Sequence, residues 1–201
     1  MAGPAFTLNS ATDTLLKKEF DVCRREGKPH PLMLKYKVDA VPFRHPDIDE
    51  WRENFKGVQY HHAPTNLLIT GAVDDIWVNP KGELFVVDYK ATSKDSEITL
   101  DAEWQQSYKR QMEIYQWLLR KKGFRVSDTG YFVYCNGRRD AKAFDGKLEF
   151  DVVVLPYTGD DSWVDGALMR AYRCLNTKKV PVSDSRCEFC AYRRAASGVE
   201  R

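Results

Sequence analysis

The chain has 201 residues, of which 43% are hydrophobic, 12% aromatic and 30% charged, and its formal net charge is +2. This composition excludes an intrinsically disordered chain and suits one soluble globular domain. Because the net charge is small, binding of nucleic acid would depend on local positive charge. Two groups of basic residues on predicted helices are candidates, although each is equally well explained as solvated helix surface. The groups are Lys17, Lys18, Arg24, Arg25 and Lys28, and Lys109, Arg110, Arg120, Lys121, Lys122 and Arg125.

Targeting signals and cysteine usage both bear on the compartment. No apolar run approaches the length that spans a bilayer, and no signal-peptide pattern opens the chain. The five cysteines are odd in number and irregularly spaced, which indicates free thiols or metal ligands in a reducing compartment. We therefore expect a cytoplasmic protein with no membrane partner.

Two helices and three strands account for the first half of the chain. Leu15, Leu16 and Phe20 recur at helical spacing, which predicts a helix over residues 9–26. A second, short helix is predicted over residues 47–55. The chain then changes to segments rich in β-branched and aromatic residues, separated by turn residues, which is typical of strands. These strands are predicted over residues 58–63, 66–78 and 84–91.

Helices and strands continue through the second half. The predicted elements are a long helix over residues 101–122, strands over residues 130–136 and 148–156, and a helix over residues 159–175. This order favours an α/β fold with a central mixed β-sheet flanked by helices. We expect a single domain over residues 1–180 and a C-terminal tail over residues 181–201.

The hairpin formed by the second and third strands carries the chemistry. If residues 80–82 form a three-residue loop, the numbers of paired residues sum to 162, which places Asp74 opposite Asp88. Two ionised carboxylates in such a pair repel each other, and a divalent cation between them turns the repulsion into a binding site. Lys90 follows Asp88 by two residues and therefore shares its face of the strand.

The register of this hairpin leaves one alternative open. A two-residue loop would bring Asp75 rather than Asp74 opposite Asp88. Charged residues in strands usually face solvent. Here, however, the apolar pair Val86-Val87 precedes the charges, as in a strand buried on both faces, where a charge is costly unless it is paired or metal-bound. The pattern favours a functional centre.

Three motifs in this region resemble the signatures of a known family. They are Gly71-Ala72-Val73-Asp74, Val86-Val87-Asp88-Tyr89-Lys90 and Gln111-Met112-Glu113-Ile114-Tyr115. In this order, on strand, strand and helix, they resemble the G-x-x-D, D-x-K and Q-x-x-x-Y motifs of the RecB-like branch of the PD-(D/E)XK nuclease superfamily. That branch includes the nuclease domains of recombination helicase-nucleases and CRISPR-associated iron–sulfur exonucleases. The resemblance implies a restriction-endonuclease-like core.

The resemblance also implies roles for the two strand motifs. Asp74 and Asp88 would be metal ligands, which favours Asp74 over Asp75, and the backbone carbonyl of Tyr89 would be a further ligand. Lys90 would orient the attacking water and stabilise charge on the phosphate. The implied cofactor is Mg²⁺ or Mn²⁺.

The first and third predicted helices would complete the site. RecB-like members usually add a ligand from the first helix, often a histidine, and here Asp13 stands at that place, with Glu19 as the second candidate. Gln111 and Tyr115 lie at i and i+4 on one helix face and would contact the Lys90 region or the nucleic-acid backbone. The alternative is a packed helix face. Other residues on that side are Trp104, Tyr108 and Leu118.

The tail contains Cys187 and Cys190 at half the spacing of a metal knuckle. The CRISPR-associated relatives hold an iron–sulfur cluster with four cysteines. A Zn²⁺ or iron–sulfur site would therefore be incomplete in this chain. Cys174 could join it, although burial explains that residue equally well.

These observations predict a Mg²⁺- or Mn²⁺-dependent deoxyribonuclease, an exonuclease rather than an endonuclease, acting on single- or double-stranded DNA. Repair, recombination or defence would be its setting, with other nucleic-acid-processing proteins as further partners. Two alternatives remain. One is a non-catalytic nucleic-acid-binding domain that retains the nuclease fold, and the other is an RNA-directed nuclease on the same fold.

Overall fold

A computed structural model describes residues 7–199 of the chain. The chain divides into two compact units, the first ending at Val164 and the second beginning at Asp165. The predicted division after residue 180 stays a prediction. Of the predicted site residues, only Cys187 and Cys190 belong to the second unit. Within the described range no helix has both the length and the apolar character needed to cross a membrane.

A five-stranded mixed sheet forms the centre of the first unit, which confirms the predicted fold class. The strands are β1 (Val41–Pro42), β4 (Asp75–Val78), β5 (Leu84–Thr92), β6 (Thr129–Gly137) and β7 (Phe150–Thr158). Their order in the sheet is β1-β4-β5-β6-β7, and only the β5–β6 pair is parallel. A parallel pair needs a crossover connection, and the helix α4 (Gln106–Lys121) supplies it.

Helices pack on both faces of this sheet. α1 buries Leu16 and Phe20 in a cluster with Trp77, Val87 and Tyr89, whereas Leu15 is exposed. The helix α4 also contacts β5. The helices of the first unit are α1 (Thr7–Glu26), α2 (Pro31–Lys35), α3 (Ile48–Trp51) and α4 (Gln106–Lys121), with a 3₁₀ turn at Glu103–Gln105 before α4.

The prediction of one continuous strand over residues 66–78 is wrong. The segment divides into β3 (Leu67–Gly71) and β4, and β3 pairs with β2 (Val58–His62) in a separate two-stranded sheet. Between them the backbone N–H of Val73 donates to the carbonyl of Trp51 at 3.0 Å, which takes this part of the chain out of the ladder. Asp74 therefore lies in the connection between the two sheets.

The predicted hairpin register is confirmed. Val78 pairs with Leu84 and Asp75 pairs with Val87. The N–H of Asn79 donates to the carbonyl of Glu83 at 3.0 Å, which closes a three-residue loop. Because β4 begins at Asp75, the expected backbone pairing at Asp74 lies just outside the ladder.

Elements late in the chain differ from the predicted bounds. The helix expected over residues 159–175 is shorter, because α5 spans Val164–Leu175. The tail, for which no element was predicted, contains α6 (Glu188–Val199).

Candidate active site

Strand alternation along β5 separates two sets of side chains. Val87 and Tyr89 belong to the core cluster that packs on α1. Asp88 and Lys90 lie on the opposite face, where the Nζ of Lys90 is 3.4 Å from the Oε1 of Gln111 on α4. The D-x-K motif is therefore directed toward α4.

Asp74 and Asp88 bring their carboxyl groups together although they lie on different segments. The backbone N–H of Tyr89 donates to Asp74 Oδ2 at 2.8 Å, which ties the connection before β4 to β5. Asp88 is buried, and burial together with the charge of Asp74 raises its pKa to about 7. Burial also raises the pKa of Asp74, against the opposing influence of Lys17 and the Tyr89 N–H. The two carboxylates form one acidic centre.

Asp75 belongs to a different cluster. It is fully buried, and its Oδ1 accepts hydrogen bonds from Arg24 and, at 2.8 Å, from Arg52. Its Oδ2 accepts one from the hydroxyl of Tyr89 at 2.9 Å. These partners saturate Asp75, whereas Asp74 is directed to Asp88. Asp74 is thus the one of the two aspartates that lies beside Asp88, and its role as a metal ligand stays a prediction.

Three groups surround the ammonium of Lys90. It forms an ion pair with Asp88 Oδ2, it contacts Gln111, and it lies 4.4 Å from the ring centroid of Tyr108. Asp88 Oδ2 is shielded from solvent and is in direct contact with this ammonium. The charge of the buried carboxylate is therefore compensated by Lys90.

Gln111 and Tyr115 connect the third motif to the first. Gln111 Nε2 donates to the hydroxyl of Tyr115 at 2.7 Å. The buried Tyr115 ring packs on Gly71, where an added Cβ would lie 2.6 Å from Tyr115 Cε1. Gly71 is therefore needed for close packing of the helix on β3. A direct contact of either α4 residue with nucleic acid stays a prediction.

Three members of the predicted basic groups form ion pairs. Arg24 is buried against Asp75, and Lys17 lies in the acidic centre. Arg120 is ion-paired with Asp128 and Asp161. Binding of nucleic acid by the other members stays a prediction.

Comparison with known proteins identifies the family. A sequence model of the PD-(D/E)XK nuclease superfamily matches residues 8–195. The chain belongs to the PD-(D/E)XK nuclease superfamily. No curated protein gives a significant match. A solved structure described as "Crystal structure of SSO0001" is 20% identical, with a TM-score of 0.33, over 63% of this chain. The match covers 50% of that protein.

The residues of this superfamily member fit a hard divalent cation. Mg²⁺ is commonly held by one or two carboxylates, with waters and substrate oxygens completing its shell. Asp74 and Asp88 offer that donor set, with their carboxyl groups side by side. Among residues 7–199, no cluster of three or more His, Cys, Asp or Glu side chains could hold a metal ion. A role for the Tyr89 carbonyl stays a prediction.

Asp13 lies near this centre, but a lysine engages it. Lys17 donates to Asp13 at 2.9 Å and lies 3.6 Å from Asp74 Oδ1, so its ammonium lies between two predicted ligands. Asp13 and Lys90 line the same cavity of about 120 Å³. Glu19, the second candidate, is directed to His30, at 3.5 Å. Sequence reasoning missed Lys17, whose spacing of four residues from Asp13 was the available signal.

The cysteine pair of this superfamily member remains a half-site. The N–H of Cys190 donates to the Sγ of Cys187 at 3.4 Å at the start of α6. A hydrogen bond from the Cys190 thiol lowers the pKa of Cys187. Cys174 is exposed on α5. A Zn²⁺ or iron–sulfur site at this pair stays a prediction.

Proposed function

We propose that the chain is a Mg²⁺- or Mn²⁺-dependent deoxyribonuclease. One observation carries the proposal: the buried carboxylate of Asp88, the half-buried carboxylate of Asp74 and the ammonium of Lys90 converge on one centre. Their mutual repulsion is costly without a cation. A binding domain without catalysis would gain nothing from this arrangement.

The chemistry follows from the groups present. A bound divalent ion supplies an activated water and neutralises charge on the phosphoryl oxygens. Asp74 and Asp88 would hold that ion, and Lys90 would donate to a phosphate oxygen with a proton that Asp88 does not engage. Gln111 accepts from Lys90 and limits the directions in which the ammonium can point.

The finer assignment rests on the three motifs. Their resemblance to the RecB-like branch supports an exonuclease acting on DNA in repair, recombination or defence, in the cytoplasm and with other nucleic-acid-processing proteins. The packing of Tyr115 on Gly71 adds support, because it makes the first and third motifs one structural unit.

Cleavage assays test this proposal. Labelled linear, circular and single-stranded DNA, and a matching RNA, are incubated with Mg²⁺, with Mn²⁺ or with a chelator. We expect metal-dependent cleavage of linear DNA, with circular DNA resistant. Cleavage of circular DNA would show an endonuclease and not an exonuclease, and a preference for RNA would show that RNA is the substrate.

Matched variants separate catalysis from folding. Asp88→Ala and Lys90→Met should abolish cleavage. The controls Asp101→Ala, an exposed acid, and Lys81→Met, an exposed lysine at the hairpin tip, should cleave as the unmodified chain does. Full activity of Asp88→Ala with Mg²⁺, or binding of DNA without cleavage by the unmodified chain, would overturn the proposal.

A further inference from the structure

A line of side chains on the 3₁₀ turn and α4 passes from solvent into the core. Trp104 at its outer end is 62% exposed, and Tyr108 and Gln111 are half-buried. Tyr115 is 7% exposed and Leu118 is fully buried. The inner members are packed, as a helix face predicts, but the outer aromatic pair is not. The proposed chemistry leaves this pair without a role.

The outer pair is connected to Lys90 by direct contacts. The rings of Trp104 and Tyr108 pack edge to face, with centroids 5.4 Å apart. The Nζ of Lys90 lies 4.4 Å from the Tyr108 centroid, and Tyr108 lines the cavity that also contains Asp13 and Lys90. The aromatic pair therefore begins in solvent and ends at the ammonium that would contact the phosphate.

Trp104 differs from every other tryptophan of the chain. Trp51, Trp77 and Trp117 are buried. Trp163 is half-buried, and its Nε1 donates to Glu113 at 2.7 Å. The exposed ring of Trp104 differs from those of other exposed aromatic residues in its contact with Tyr108, which itself lies on Lys90.

Nucleobases are the ligands that such a pair would bind beside a phosphate. Every base has a π-face, and stacking on an aromatic side chain contributes to binding of single strands without reading sequence. A base inside a duplex is already stacked and paired, so only an unpaired base can use this contact.

We propose that Trp104 and Tyr108 form a stacking platform for one unpaired nucleobase next to the phosphate bound at Lys90. The inference rests on the proposed nuclease function and adds its substrate class: single-stranded DNA or a frayed end is preferred over an intact duplex. Trp104 positions the strand, and the acidic centre is unchanged by its removal.

Variants of Trp104 and abasic substrates test the platform together. Trp104→Leu should lower kcat/KM on a labelled single-stranded oligonucleotide by about 5- to 100-fold, mainly through KM. Trp104→Phe should restore most of it. Phe144→Leu, which removes an aromatic 73% exposed in the β6–β7 connection, serves as the control and should cleave normally.

An abasic nucleotide placed at each position in turn shows whether a base is the partner. With the unmodified chain, an abasic nucleotide at one position should lower kcat/KM by about the same factor as Trp104→Leu does. With Trp104→Leu, the abasic nucleotide at that position should lower kcat/KM no further. If the unmodified chain had the same kcat/KM whichever position was abasic, the platform would be overturned. This result does not depend on whether Trp104→Leu folds. The platform would also be overturned if the abasic nucleotide lowered kcat/KM by the same factor in Trp104→Leu as in the unmodified chain.

A binding measurement distinguishes failure of the nuclease proposal from failure of the stacking platform. Binding of a fluorescent single-stranded oligonucleotide in the presence of a chelator, measured by anisotropy, requires no cleavage. If the unmodified chain binds more tightly than Trp104→Leu but cleaves nothing, the nuclease proposal fails and the platform stands. If it cleaves, and Trp104→Leu matches it in binding and in KM, the platform fails alone.

Discussion

Asp74 and Asp75 are consecutive in the chain, yet their carboxylates enter two separate clusters. Asp74 accepts from the backbone N–H of Tyr89 and lies beside Asp88. Asp75 accepts from Arg24, Arg52 and the hydroxyl of Tyr89. The second cluster ties α1 and the segment after α3 to β4 and β5. The two neighbouring aspartates therefore have different roles: Asp74 lies in the proposed catalytic centre, and Asp75 holds elements of the fold together.

Exchange of each aspartate for asparagine should separate these tasks. Asp75→Asn leaves two buried guanidinium groups without a full counter-charge, and we expect a loss of about 3 kcal/mol in the free energy of unfolding. Asp74→Asn should keep the fold and lose cleavage. Urea unfolding and a cleavage assay on both variants check this. A stable Asp75→Asn beside an unfolded Asp74→Asn would contradict the assignment.

Removal of the Lys17 ammonium should strengthen metal binding. Lys17 lies 3.6 Å from Asp74 Oδ1, where its charge opposes that of an incoming dication. We expect Lys17→Met to bind Mg²⁺ about two- to tenfold more tightly. Lys18→Met, an exposed neighbour, is the control and should match the unmodified chain. Calorimetric titration measures both, and weaker binding by Lys17→Met would show that the ammonium supports the site.

Acid should destabilise the fold through His30. Burial lowers the pKa of this histidine, outweighing the opposite effect of Glu19 and Asp75. The folded state therefore binds fewer protons than the unfolded state, and the stability is present above pH 6.5 and is lost as pH falls toward the folded pKa. Within that window the contribution of His30 is read as the difference in urea-unfolding midpoint between the unmodified chain and a variant without this histidine.

Two histidine variants test whether this pH dependence of stability comes from His30. In His30→Asn the asparagine can still accept the Leu32 N–H, which His30 Nδ1 accepts at 3.2 Å, but it cannot titrate. Its unfolding midpoint should depend less on pH. His61→Asn, at an exposed position, should keep the full dependence. Equal pH profiles for His30→Asn and the unmodified chain would place the effect elsewhere.

Glu113 should matter for stability and not for chemistry, although it lies inside the third motif. Its carboxylate accepts from the Tyr157 hydroxyl at 2.6 Å and from Trp163 Nε1 at 2.7 Å. Glu113→Leu leaves these donors unsatisfied, so we expect a loss of about 3 kcal/mol in the free energy of unfolding. Exposed Glu97→Leu should change it by less than about 0.5 kcal/mol. A fall in kcat at low temperature, without a loss of stability, would contradict this.

Local rules predicted the central hairpin and the sheet type. A three-residue loop set the register from Val78 onward. The order of helices and strands predicted a mixed sheet, whose parallel pair is joined by the helix between β5 and β6. The same rules brought Asp88 and Lys90 to one face. Each of these features depends on residues that are close in the sequence, which is why pattern alone was sufficient.

Features that depend on distant partners could not be predicted in this way. The break between β3 and β4 follows from the hydrogen bond of Val73 to Trp51 and from the ring of Tyr115 on Gly71. Periodicity cannot reveal such contacts. It also placed Trp104 on the same side as Leu118 without showing that one is exposed and the other buried.

The contact between Gly71 and Tyr115 has an evolutionary consequence. A Cβ on residue 71 would lie 2.6 Å from the tyrosine ring, so the space at one position is set by the size of the other. Positions in such contact should vary together across relatives. Glycine should be retained wherever an aromatic residue occupies the helix position, and a larger residue on the strand should be accompanied by a smaller one on the helix.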